Sequence, residues 1–184
     1  MTHYAVFLAV TGLPTGPVSG LTALTVPAHR LAEAEARASA ALAGLPEGAG
    51  WADLEPDRRR ELVARVRTVP HHAADHIEHN DPAAPGSSAL ADCLAGLAAN
   101  SSLKELAGQR RTVYFTGDRP LGDAAGAPFL AGASAVHRGA ENRYPALARL
   151  AALLGTAAGP STDGSLPEDQ DLYEAFDRYT VGGP

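Results

Sequence analysis

Cysteine, lysine and tryptophan occur once each in this 184-residue chain, as Cys93, Lys104 and Trp51, and aromatic residues make up only 5% of it. One cysteine can neither close a disulfide within the chain nor build a thiolate zinc cluster, which points to a reducing compartment. The 15 basic residues are outnumbered by 21 acidic ones, giving a net charge of -6. No basic stripe is available to release counterions from a phosphate backbone, so nucleic acid is not expected as a partner. The one basic run, Arg58-Arg59-Arg60, falls in an expected helix and reads as a solvated face. No apolar run approaches the roughly 20 residues that span a bilayer, and Met1-Thr2-His3-Tyr4 lacks the charged start of a secretory signal. A cytoplasmic location is therefore expected, with no membrane partner. GxGxxG, Walker-type and GxSxG loops are also missing, which leaves cofactor recognition by those routes unsupported.

What is present is the composition of an ordinary globular protein, 45% hydrophobic and 20% charged. The wealth of Ala, Gly, Pro and Arg suits a GC-rich bacterial genome. Residues 4–10 form an unbroken apolar run, as in a strand buried on both faces at the centre of a sheet. Gly12 to Gly20 then break regular structure, and 21–26 returns as the second arm of a hairpin. Leu31, Ala34, Ala38 and Leu42 recur at helical spacing, with Gly44 as a stop. Pro56 opens a second helix carrying Leu62, Val63 and Val66. A third, short helix is expected over 71–80. After the break at 81–86, Leu90, Cys93, Leu94 and Leu97 mark another helix, with a continuation from a Ser102/Glu105 capping box to Gly108.

Residues 112–116 are a strand that a helical connection allows to run parallel to the first. Residues 129–136 read as a further strand, and 145–155 as a helix opened by Pro145. The expectation is a mixed α/β (α+β) layer fold, with three to four strands in a small mixed sheet and five to six helices. Residues 1–155 form one globular domain, 156–167 a linker, and 168–184 a terminal helix that docks through Leu172, Tyr173, Phe176 and Tyr179.

Four of the seven histidines lie in His71-His72-Ala73-Ala74-Asp75-His76-Ile77-Glu78-His79. On a helix, His72, His76 and His79 would share one face and could present imidazoles to one divalent metal such as zinc, iron or nickel. Exposed polar residues near chain breaks make the same pattern without function. Asp75-His76-Ile77, with Asn100 and Lys104, resembles the core of HNH endonucleases over 75–104, but it lacks the flanking cysteine pairs. Asp118, beyond the 112–116 strand and beside Gly117, is the first candidate for a catalytic carboxylate, since ligand crevices form past strand carboxyl ends. The plainer reading of Asp118 is a turn residue. His137, four residues before Glu141, could add a ligand or an acid/base group, although Pro145 favours a loop there.

Two functions follow. The first is a non-enzymatic accessory or regulatory protein of a bacterial cytosol, acting by protein binding or self-association through Trp51, its loop, or the terminal helix. The second is a small metal-dependent enzyme that uses His72 and His76 to hold a metal and activate water.

Overall fold

The chain was described from a computed structural model covering residues 2–12, 18–79, 85–99 and 101–157. Strand β1 (His3–Gly12) buries Val6 and Leu8 on one face and Ala5, Phe7 and Ala9 on the other. A strand apolar on both sides has to be covered on both sides, and β1 accordingly lies at the centre of a five-stranded sheet. It pairs antiparallel with β2 (Val18–Pro27), from Tyr4 opposite Pro27 to Thr11 opposite Gly20. On its other side it pairs parallel with β4 (Arg110–Phe115). Strand β3 (Ala73–Glu78) is antiparallel to β2, and the short β5 (Ala135–His137) is parallel to β4. The spatial order is β3-β2-β1-β4-β5.

Helices cover the two faces separately. The first face carries α1 (Leu31–Leu42), α2 (Pro56–Val66) and α6 (Pro145–Ala157), whose buried alanines and leucines meet Phe7, Leu24, Val26 and Tyr114. The second carries α3 (Gly86–Ala99), the short α4 (Ser101–Lys104) and α5 (Pro128–Ala131), packed on Val6, Leu8, Leu21 and Val113. Each fully buried leucine or phenylalanine in these layers is worth about 1.5–3 kcal/mol. Arg111 enters the second core almost fully buried, and its guanidinium donates to the carbonyls of Leu106 and Phe129. It ties the chain before β4 to α5.

Two sequence expectations are corrected. The described part of the expected 71–80 helix, residues 71–79, is no helix. Its residues from Ala73 to Glu78 are an edge strand, registered from Ala73 opposite Thr25 to Glu78 opposite Gly20, which raises the sheet from three or four strands to five. The 129–136 strand is instead the turn α5, opened by Pro128 at its first position, followed by β5 alone. Helix α6 runs to Ala157, into the expected linker. The remainder of that linker, from 158, and the terminal helix lie outside the described residues. Among the described residues, no helix is long and apolar enough to cross a membrane.

Candidate binding cleft

After β4 the chain turns to the second face, where Ala124, Phe129 and Leu130 enter that core. After β5 it turns to the first face, where Ala140 and Leu147 enter the other. Two neighbouring parallel strands whose continuations part in opposite directions leave a crevice outside their carboxyl ends. Gly117, at φ 70°, donates its N–H to both carboxylate oxygens of Glu141, at 3.0 and 3.1 Å, and its carbonyl accepts from Gly139 N at 3.0 Å. Gly139 has φ 63°, and a Cβ there would lie 2.7 Å from Asn142 Nδ2 and 3.5 Å from Asp118 Oδ1. The loops after β4 and β5 are thus stitched together.

Below them, Phe7, Tyr114 and His137 occupy one register row across β1, β4 and β5. Tyr114 stacks on Phe7 and on His137, each pair with ring centres 5.1 Å apart, and Tyr144 meets Phe7 and Tyr114 edge-on. Burial pushes the Tyr114 phenol above its usual range, with Tyr144 acting in the same sense.

Beside these loops lies a cleft of about 520 Å³. Its walls are Thr116 and Glu141, the 45–48 loop through Leu45, Glu47 and Gly48, and Pro145, Ala148, Arg149 and Ala152 of α6. A second cleft, of about 370 Å³, shares Leu45, Pro145 and Arg149 and continues toward Glu35 and Ser39 of α1. Arg149 Nη2 donates to the carbonyls of Leu45, at 2.9 Å, and Pro46, which fixes the 45–48 loop against α6. Glu35 anchors the other end, accepting from the Ala146 and Leu147 amides at 2.8 and 2.9 Å. A carboxylate on the first free amides of a helix satisfies groups that have no partner within that helix. The cleft therefore has a fixed frame, an apolar floor and two exposed carboxylates, Glu47 and Glu141.

Of the sequence candidates, Asp118 comes from the loop after β4 and His137 is the last residue of the neighbouring strand β5. Asp118 is exposed at the rim, whereas the His137 ring lies on Tyr114 beneath it. The histidines of 71–79 are at the opposite edge of the sheet, about 19 Å away by four strand spacings. They do not gather, because a strand alternates its side chains where a helix would have stacked them. His76 takes the first face, with Nδ1 2.8 Å from Thr22 Oγ1, and its ring leaves no room for a Cβ at Gly20. His72 packs on Tyr4, a second-face residue, and His79 lies 3.5 Å from Asp92 of α3. Burial holds the His72 and His76 imidazoles below their usual range, against the opposing charges of Glu105 and Glu78. Among the described residues, no group of three or more His, Cys, Asp or Glu is placed to hold a metal ion. Asn100, of the HNH-like pattern, lies outside the described residues.

Trp51 is only 2% exposed, in the first core under the Arg59 guanidinium, and so offers no contact surface. Cys93 is equally buried, and burial pushes its thiol up to about 11. The cleft residues Glu47, Arg149 and Ala152 were not singled out in the sequence. Glu141, Pro145, Asp118 and the Gly117 turn past a strand end are the residues whose sequence context points toward this place.

No family model matches the chain, and no curated protein does. Among solved structures, the chain overlays in part on one from the complex of PCNA with RNase HII from Archaeoglobus fulgidus. The TM-score is 0.40 at 12% identity, covering 100% of this chain and 92% of that one.

Proposed function

We propose that this protein is a non-enzymatic accessory or regulatory protein of a bacterial cytosol, and that it binds a protein partner in the cleft between α6, the 45–48 loop and the end of β4. The observation that supports this most is the cleft itself. Its size is that of a pocket for a small ligand, roughly 300–1,000 Å³, which is room for a partner's side chain, and it is floored by Leu45, Pro145, Ala148 and Ala152 and framed by hydrogen bonds that exist before any partner arrives. A preformed frame lowers the ordering cost of association. Several groups suited to chemistry have structural occupations instead: Glu35 caps α6, Glu141 holds Gly117, His76 meets Thr22, and the Cys93 thiol is buried, while Asp118 stands exposed at the crevice.

Ala152 is exposed on the cleft wall, so Ala152→Arg should fill the cleft and leave the core intact. Co-purification from the native host, quantified by mass spectrometry, should recover a partner with wild type and lose it with Ala152→Arg at unchanged thermal stability. The metal-enzyme reading is tested by elemental mass spectrometry on untagged protein. Near-stoichiometric metal that disappears in a His72→Ala, His76→Ala double variant would replace the binding proposal with that one.

A further inference from the structure

We infer that the cleft receives a basic side chain, arginine or lysine, presented by an extended segment of the partner. The inference rests on the reading of the cleft as a protein-binding site and adds the chemistry of what enters it. Three charged side chains line the 520 Å³ cleft: Glu47, Glu141 and Arg149. The Arg149 guanidinium donates to the Leu45 and Pro46 carbonyls and keeps its positive charge, so the three side chains together carry one net negative charge. Glu141 accepts one backbone N–H, from Gly117, whereas an ionised carboxylate has about four acceptor sites. Glu47 is exposed at the rim. The cleft therefore offers negative charge beside an apolar floor.

A lysine or arginine matches both halves of that surface. Its methylene stem lies on Leu45, Pro145, Ala148 and Ala152, and its charged head meets a cleft carboxylate, Glu47 or Glu141, with the Thr116 hydroxyl as a further acceptor. The adjoining 370 Å³ cleft, which shares Leu45, Pro145 and Arg149, gives the flanking residues of an extended segment a path toward Ser39. The chain's own C-terminal sequence is a poor match by charge. Residues 158–184 contain six carboxylates, Asp163, Glu168, Asp169, Asp171, Glu174 and Asp177, against one arginine, Arg178. A separate basic partner fits where this segment does not.

The test is an amide-shift NMR titration of the full chain with the capped peptide Ala-Ala-Arg-Ala-Ala and with its neutral citrulline isostere. The arginine peptide should produce saturable shifts at Gly48, Thr116, Ala148 and Ala152. Binding should weaken roughly tenfold for the citrulline peptide and for Glu47→Gln, about 1.4 kcal/mol, and should weaken further as salt is raised. Equal binding of the two peptides at those amides would overturn the preference for a basic group while leaving an apolar protein-binding cleft. Shifts confined to another face, or no shifts from either peptide, would overturn the inference. Loss of co-purification in Ala152→Arg, measured separately, would then show whether the binding reading survives.

Discussion

Gly139 holds the β4 and β5 loops together in a conformation that other residues resist. At φ 63°, with Asn142 Nδ2 at 2.7 Å from the position of a Cβ, Gly139→Ala adds both backbone strain and a clash. A loss of about 1–2 kcal/mol is expected from urea denaturation. Cys93 gives a second residue-scale prediction. With the thiol pushed up to about 11 and enclosed by Leu90, Leu94 and Leu97, it should resist an aromatic disulfide reagent in the native protein at about pH 8 and react fully in urea. The half-buried histidines His72 and His76 act through linkage. His72 and His76 are held below the ordinary imidazole range, so the unfolded chain takes up their protons first as pH falls. Stability should therefore drop as pH passes down through about 6.5. The drop should be smaller in a His72→Gln, His76→Gln variant, compared by urea midpoints on either side of that pH. An equal slope in both proteins would contradict this placement of the two rings.

At the scale of elements, one carboxylate adds a polar tie to the apolar packing of α1 on α6. Glu35→Ala removes the acceptor for both Ala146 and Leu147 amides and should lower stability by about 0.5–2 kcal/mol, with Glu35→Gln retaining part of it. The helices themselves could be read from local pattern. Leu62, Val63 and Val66 of α2, Leu90, Leu94 and Leu97 of α3, and Leu147, Leu150 and Leu154 of α6 all point inward at the spacing the sequence displays. The central strand was legible because residues 5–9 are apolar at every position. Strand β3 was not legible, and the reason is physical. Its alanines favour helix locally, and His76 within it recurs with the flanking His72 and His79 at offsets of four and three. Its strand state comes from pairing with Thr22 and its neighbours, about fifty residues earlier. The same non-locality hid the cleft. Glu47, Thr116, Glu141 and Ala152 come from four separate segments, and no spacing in the sequence relates them. Asp118 was found because a glycine turn past a strand end is a local signal, and it stands at the rim of the crevice.

For the whole molecule, the sheet has its two covered faces and its two edges in different roles. The β3 edge holds the histidines, distributed over both faces, and the β5 end holds the divergent loops and the cleft. The described body is also far less acidic than the complete chain. Removing the six carboxylates and one arginine of 158–184 from a total of -6 leaves a formal charge of about -1 on residues 1–157, and setting aside Asp81, outside the described residues, leaves about zero on the described body. The negative character of the cleft thus comes from where Glu47 and Glu141 stand, and a neutralising substitution at Glu47 should change partner affinity without altering solubility. The most direct measurement places a photo-crosslinking amino acid at Ala152, on the cleft, and at Asp123, exposed on the opposite face, in the native host. The account predicts one partner crosslinked from position 152, through a basic segment, and none in common from position 123. Crosslinking of the same proteins from both positions, or from position 123 alone, would contradict the cleft as the site at which this protein works.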